Sequence, residues 1–182
     1  KNMEKSVFIT GATVNTGLGI AEKFAKEGYN LFLGSRNAEN AEKTAKELSE
    51  KYGVYAKGYG MKIFDEENTK EIFTDIKNSG YSVDTLVLNA ANLGIRQQFF
   101  DVSIDDFMNV INTNIGWNFM LSREAAIQMK ENGGGSIVFV NSNTAYRAIP
   151  DRIAYSASKS GALGMMRALA LDLGKYNIRV NA

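Results

Sequence analysis

The sequence predicts an α/β domain built on a doubly wound parallel sheet with helices on both faces. Three observations carry this. Short, wholly apolar runs alternate with longer amphipathic ones, the signature of strands covered on both sides. A glycine-rich turn joins the first apolar run to the first amphipathic segment. The chain of 182 residues contains a single proline, Pro150, and shows no linker, repeat or low-complexity stretch, so one compact domain over 1–182 is expected.

The elements follow in order. Ser6 to Thr10 reads as a buried strand that ends in the glycine turn. Gly17 to Gly28 reads as a helix, with Ile20, Ala21, Phe24 and Ala25 on one face. Asn30 to Gly34 is a second strand and Ala38 to Tyr52 a charged amphipathic helix. Val54 to Gly60 and Glu67 to Ser79 repeat the pair, and Val83 to Leu88 is a fourth, fully apolar strand. One long helix is expected from Ile104 to Lys130. Gly133, Gly134 and Gly135 then connect to a strand at Ser136 to Val140. A last helix covers Ala154 to Tyr176, and Ile178 to Asn181 opens a sixth strand. Right-handed crossovers would place a ligand crevice at the carboxyl ends of the strands.

Composition narrows the function. Lys plus Arg total 21 and Asp plus Glu 20, scattered along the chain, for a net charge of +1. That leaves no electrostatic footprint for nucleic acid or an anionic membrane. There is no cysteine and no histidine. Disulfides, thiolate or histidine metal sites and a Ser-His-Asp hydrolase are excluded, no metal site is expected, and acid–base chemistry must fall to a carboxylate, lysine or tyrosine. No apolar run approaches the roughly 20 residues that span a bilayer, and Val7-Phe8-Ile9 is too short for a signal-peptide core. A cytoplasmic protein is expected.

Three local patterns carry chemistry. Between Thr10 and Gly19 the glycines fall at the end of a strand and the start of a helix. Gly11 would permit the tight turn. Gly17 would let the backbone approach a pyrophosphate at the helix N-terminus, where free N–H groups favour anions. Gly19 is expected to let the helix pack close on the sheet. At the end of the second strand the run Leu33-Gly34-Ser35-Arg36-Asn37 offers no acid for a ribose 2′-hydroxyl. Its Arg36 could fork onto a 2′-phosphate, which favours NADP(H) over NAD(H). In the last helix Tyr155 and Lys159 stand four apart and share a face. A phenol ordinarily titrates near pH 10, but a nearby ammonium and the positive helix end favour the phenolate, making such a tyrosine a usable proton carrier.

Taken in order, these motifs resemble the short-chain dehydrogenase/reductase family over essentially the whole chain, which implies a Rossmann-type sheet. The resemblance rests on Thr10-Gly11 through Gly19, Asn89-Ala90-Ala91, Asn114, Ser142, Tyr155 with Lys159, and Ile178-Arg179-Val180-Asn181-Ala182. Ser142 precedes Tyr155 by 13 positions and follows Asn114 by 28. The resemblance implies Tyr155 as general acid or base, with Lys159 favouring its phenolate and bonding the nicotinamide ribose. It implies Ser142 as a hydrogen bond to the substrate oxygen and Asn114 as the holder of a water that passes protons to Lys159. Gly11, Thr13, Asn15, Gly17, Leu18, Gly19, Ser35, Arg36, Lys62, Ile63, Asn89, Ala90, Ala91, Tyr155 and Lys159 are the expected cofactor contacts. Ser142, Asn143 and Tyr155 are the expected substrate contacts, with Phe99, Phe100 and Tyr146 as further lining of a cleft.

The chain departs from the family in four places. Five residues separate Gly11 from Gly17, a longer loop than usual and one shared with enoyl-thioester reductases. Those enzymes, however, space their tyrosine and lysine more widely, so the pair here argues for carbonyl chemistry. Ala91 replaces a glycine. Lys62 stands where an aspartate usually meets the adenine, and a lysine cannot accept that bond. Nothing follows the sixth strand, so a substrate loop and a further strand are expected to be missing. The expected function is hydride transfer between NADP(H), or NAD(H), and a carbonyl or alcohol substrate. The alternatives are a redox-sensing nucleotide binder without turnover, or an enoyl-thioester reductase. Met165, Met166, Leu169 and Leu173 read as core or interface, and Trp117 as a core or interface anchor. The resemblance implies a homodimer or homotetramer, with Ala157, Gly161 and Ala168 giving close helix approach.

Overall fold

A computed structural model describes residues 5–182. Six parallel strands form one sheet in the order β3-β2-β1-β4-β5-β6, comprising β1 (Ser6–Thr10), β2 (Asn30–Ser35), β3 (Ala56–Gly60), β4 (Thr85–Leu88), β5 (Gly135–Phe139) and β6 (Ile178–Asn181). The direction of winding reverses between β1 and β4, the switch point at which such sheets open a crevice.

Over β1, β2 and β4 both faces of the sheet are covered, which is why those strands read as near-continuous apolar runs, whereas β6 leaves Arg179 and Asn181 exposed. Val7, Ile9, Leu31, Leu33 and Val87 pack beneath helices α1 (Asn15–Lys26) and α2 (Ala38–Tyr52). The alternate residues Phe8, Phe32, Leu86, Leu88, Ile137, Phe139, Ile178 and Val180 face the other layer. That layer holds α3 (Glu66–Asn78), α4 (Ile104–Ile111), α5 (Asn118–Glu131) and α6 (Ile153–Gly174). Phe8 anchors it edge-on against Tyr59 and Phe73, with ring centroids 6.3 and 5.4 Å away.

Three helix starts are closed by side chains suited to the job: Asn37 accepts from Asn40 N, Asp65 from Asn68 N and Ser103 from Asp106 N. The start of α1 is different. Val14 precedes it, no side chain caps it and no acid stands in its first turn. Its free N–H groups are therefore available to an anion.

The expected long helix is broken. Between α4 and α5 the segment Asn112–Trp117 is a π-helix. Thr113 Oγ1 donates to Asn109 O at 2.8 Å and Asn118 Nδ2 to Asn114 O at 2.9 Å, so side chains occupy carbonyls that a regular ladder would use. Other boundaries move by a few residues. Helix α1 begins at Asn15 and ends at Lys26, β3 begins at Ala56, β4 at Thr85, α6 at Ile153, and α6 stops at Gly174.

The closest helix–strand approach is α2 on β3. A Cβ at Gly58 would overlap the backbone of Ala41 and Glu42, and the Glu42 carboxylate accepts from Gly58 N at 3.0 Å. Gly58→Ala must push α2 off the strand. We expect it to cost about 1–3 kcal/mol, read as a lower urea midpoint with an unchanged slope.

Candidate active site

Thr10 and Asn89 lie at the carboxyl ends of β1 and β4, and they lock those ends together. The buried Thr10 Oγ1 accepts from Asn89 N and Ala90 N, each at 3.0 Å. In return Asn89 Nδ2 donates to Thr10 O and Gly11 O, each at 3.1 Å. Gly11 turns the chain with φ +64°, and a Cβ on Gly17 would overlap the Gly11 carbonyl oxygen. Close approach in this turn thus belongs to Gly17. Gly19 is exposed with nothing within 4 Å of where its Cβ would be, so the expected packing of Gly19 on the sheet is corrected. The longer loop turns α1 so that Gly19 faces outward.

A groove of about 1020 Å³ opens above this clasp. Of the expected cofactor contacts, Gly11, Thr13, Asn15, Gly17, Ser35, Arg36, Ile63, Asn89, Ala90 and Ala91 line it. Leu18, Gly19, Lys62, Tyr155 and Lys159 do not; the Lys62 side chain is exposed while its backbone N–H donates to Asn68 Oδ1 at 2.8 Å. Phe64, Asn109, Asn112, Thr113 and Trp117 add walls that the sequence did not suggest. Trp117 is 2% exposed, in the core as expected, yet its indole N–H has no partner among the described residues. An uncapped helix start, glycines that leave room for a ligand's phosphates and an unpaired donor on one wall all fit a polar dinucleotide.

Residues expected to handle the proton stand beside the groove. Asn114, 1% exposed in the π-segment, clasps the backbone of Asn92: its Oδ1 accepts from Asn92 N at 2.8 Å and its Nδ2 donates to Asn92 O at 2.9 Å. The same Nδ2 donates to Ser158 Oγ at 2.9 Å, and Ser158 Oγ donates to Tyr155 O at 2.8 Å. A continuous polar chain therefore fixes the first turn of α6 to the π-segment and to the loop after β4. Ser158 is fully buried.

Lys159 lies one turn beyond Tyr155, with Nζ 5.7 Å from the Tyr155 ring centroid. Its ammonium donates to Val140 O at 3.0 Å, and burial holds its pKa below the ordinary lysine value. Asn141 Nδ2 donates to Lys159 O at 3.1 Å, tying β5's exit to the same helix. Ser142 Oγ accepts from Thr144 N at 3.2 Å and from Thr144 Oγ1 at 2.9 Å. With its lone pairs so engaged, the Ser142 hydroxyl proton is left to donate outward.

Tyr155 lines a narrow crevice that shares Leu93 with the groove. The crevice also shares Gln97, Asp151 and Ile153 with a hollow of about 500 Å³ on its other side. Phe99, Thr144, Tyr146 and Ile149 line that hollow; Phe100 and Asn143 do not and are exposed. Tyr155 thus lines a crevice that adjoins both a groove suited to a dinucleotide and a mostly apolar hollow. Ser158 and Asn92 were legible only as neighbours of named motifs, and nothing in the sequence signalled Phe64.

The comparisons with known proteins agree with this geometry. The family model described as short chain dehydrogenase matches residues 5–182. The 3-oxoacyl-[acyl-carrier-protein] reductase of Aquifex aeolicus is 32% identical, over 98% of this chain and 71% of that protein. A 7 alpha-hydroxysteroid dehydrogenase solved with NADH and 7-oxo glycochenodeoxycholic acid superposes with a TM-score of 0.91 at 33% identity, over 98% of this chain and 69% of that one. NAD+-bound xylitol dehydrogenase superposes with a TM-score of 0.92 at 33% identity, over 100% of this chain and 70% of that one. The chain spans from 63% to 71% of the length of the first curated relatives it matches. With the ordered motifs, the parallel sheet and the clasped site in agreement, the chain belongs to the short-chain dehydrogenase family.

Proposed function

We propose that this oxidoreductase moves a hydride between a nicotinamide dinucleotide, NADP(H) before NAD(H), and a carbonyl or alcohol substrate. The observation that carries the reading is the position of Tyr155, with Lys159 one turn on, in the crevice between groove and hollow. The bound nicotinamide would supply or accept the hydride; the protein's own groups handle the proton and the oxygen. Ser142 donates a hydrogen bond to the substrate oxygen and stabilises charge that develops there. Tyr155 gives its phenolic proton to that oxygen during reduction and takes it back during oxidation. Lys159 places its ammonium 5.7 Å from the ring centroid, one helical turn from the group that would carry the proton. Asn114 and Ser158 hold the turn that carries both.

Arg36 is exposed at the mouth of the groove, and Ser35 beside it accepts from Asn37 N at 3.3 Å and from Thr13 Oγ1 at 3.5 Å. Among the described residues no carboxylate lines the groove, which supports a 2′-phosphorylated ribose. The relatives solved with NADH and NAD+ keep NAD(H) as the alternative. Ile104, Met108, Phe119, Ile127 and Leu171 are exposed on α4, α5 and α6, which suits a homodimer or homotetramer built on those helices. Among the described residues no helix is long and apolar enough to cross a membrane.

The deciding assay is NADPH and NADH consumption by the complete gene product across ketones, sugars and 3-oxoacyl thioesters. Tyr155→Phe should lower kcat by at least 10²-fold, the scale of a lost general acid, with dinucleotide affinity retained. Equal turnover by the Phe variant would remove Tyr155 from the chemistry. Arg36→Asp should weaken NADPH binding by about tenfold or more and leave NADH binding unchanged or improved, since it exchanges a charge-assisted bond for repulsion.

Lys159 makes a pH prediction. Its folded pKa lies below the unfolded value near 10.4, so the unfolded chain binds more protons in the interval between them. Stability rises with pH across that alkaline interval, and below it the full penalty of a buried charge persists. Lys159→Met should therefore raise the neutral-pH Tm of the ligand-free protein by about 2–4 °C, the response of a chain this size to 1 kcal/mol. The gap should close as the pH climbs into the ordinary lysine range, while activity is lost. A lower Tm for the Met variant would refute the desolvation argument.

A further inference from the structure

Phe64 follows β3 in a conformation that a phenylalanine rarely adopts. Its φ is +56°, in the left-handed region where a Cβ crowds the backbone. The ring is not compensated by burial, because Phe64 remains 42% exposed. It forms part of the groove wall together with Arg36, Met61 and Ile63. Behind it, the π-segment presents Gly116, where a Cβ would stand 2.5 Å from Phe64 Cε2. A glycine at that place leaves the ring room to seat against the helix backbone. An exposed aromatic ring, held in a costly conformation and backed by a residue with no side chain, points to use rather than to packing.

The sheet order says what would use it. A dinucleotide that lays its pyrophosphate on the start of α1 has its adenosine ribose at the end of β2, beside Ser35 and Arg36. β3 is the next strand outward, with Ser35 opposite Gly60 in register. The base carried by that ribose then lies over the end of β3, where Ile63 and Phe64 stand. Lys62 cannot accept a hydrogen bond from an adenine amino group and does not line the groove. At the end of β3 the groove offers the base an apolar surface, Ile63 and Phe64, in place of an acceptor at Lys62. We propose that Phe64 is the stacking platform of this groove for a purine ring, and that it positions the adenine end of the dinucleotide. The inference rests on the nucleotide reading above and goes beyond it in assigning the base to one residue.

The test separates the ring from the backbone strain and the base from the rest of the cofactor. Phe64→Asn keeps a residue that tolerates left-handed φ, so the fold is not at risk, and it removes the ring. Phe64→Tyr keeps the ring. Calorimetric titration of the complete protein with adenosine 2′,5′-bisphosphate and, separately, with reduced nicotinamide mononucleotide reads the two halves. We expect Phe64→Asn to bind the adenosine fragment about tenfold more weakly, within the range of base–aromatic stacking, with an unchanged or higher Tm. Phe64→Tyr should bind it as the parent does, and the nicotinamide fragment should bind all three proteins alike. Parent-like affinity of Phe64→Asn for the adenosine fragment overturns the proposal. So does an equal loss for both fragments, which would make the ring a general support of the groove. If the parent protein binds neither fragment, the nucleotide reading itself fails.

Discussion

Four hydrogen bonds between Thr10–Gly11 and Asn89–Ala90 hold the place on which the rest of the site depends. The β1–β4 ladder pairs Val7 with Thr85 and Ile9 with Val87, and beyond it the two chains are due to diverge, one into a turn and one into a loop. The Asn89 amide spans that divergence and leaves the two strand ends fastened where the winding of the sheet reverses. The same amide lies against Gly17, so the start of α1 is set by the strand ends that it must serve. Every wall of the groove is referenced to this junction. Loss of the Thr10 hydroxyl would leave Asn89 N and Ala90 N competing for water at a place where little can enter.

From that junction a second polar chain carries the alignment to the chemistry. Asn92 lies three residues past Asn89 and is clasped by Asn114; Asn114 bonds Ser158, and Ser158 bonds the carbonyl of Tyr155. The π-helix is where this chain passes through the long helix, and its irregular ladder lets an asparagine amide turn toward the sheet. Rigid support of this kind matters because a proton carrier misplaced by an ångström loses most of its effect. The lysine beside it is the costly part: a buried ammonium with one carbonyl for company makes the site less stable than an apolar substitute would.

The sheet, its layers and the shared helical face of Tyr155 and Lys159 were legible in the sequence, because apolar alternation and motif spacing are local records of burial and helical face. Less was legible where a conformation depended on a distant contact. Gly19 looked like the packing glycine from its place in the motif, but two extra loop residues hand that duty to Gly17. The long helix read as one element from its periodicity, since a π-turn shifts the pattern by one residue and leaves the apolar stripe nearly intact. Phe64 carried no signal, for a positive φ is expected of glycine or asparagine. Lys62 was placed by family position, yet a solvated ammonium gains nothing in a groove without an acid.

The bond from Glu42 to Gly58, noted above for the way α2 lies on β3, also bears on how the molecule behaves in company. β3 is the outer strand of its side of the sheet, and a bare outer strand offers a row of backbone donors to any other extended chain. Here the outward N–H of Gly58 is already taken by a carboxylate, and Lys57 next to it is paired with Asp75 at 2.7 Å. A strand from another molecule would have to displace a charged acceptor and break an ion pair before gaining its first bond. The helix that lies on β3 thus also guards this part of its edge against recruitment, through one glutamate far from the groove.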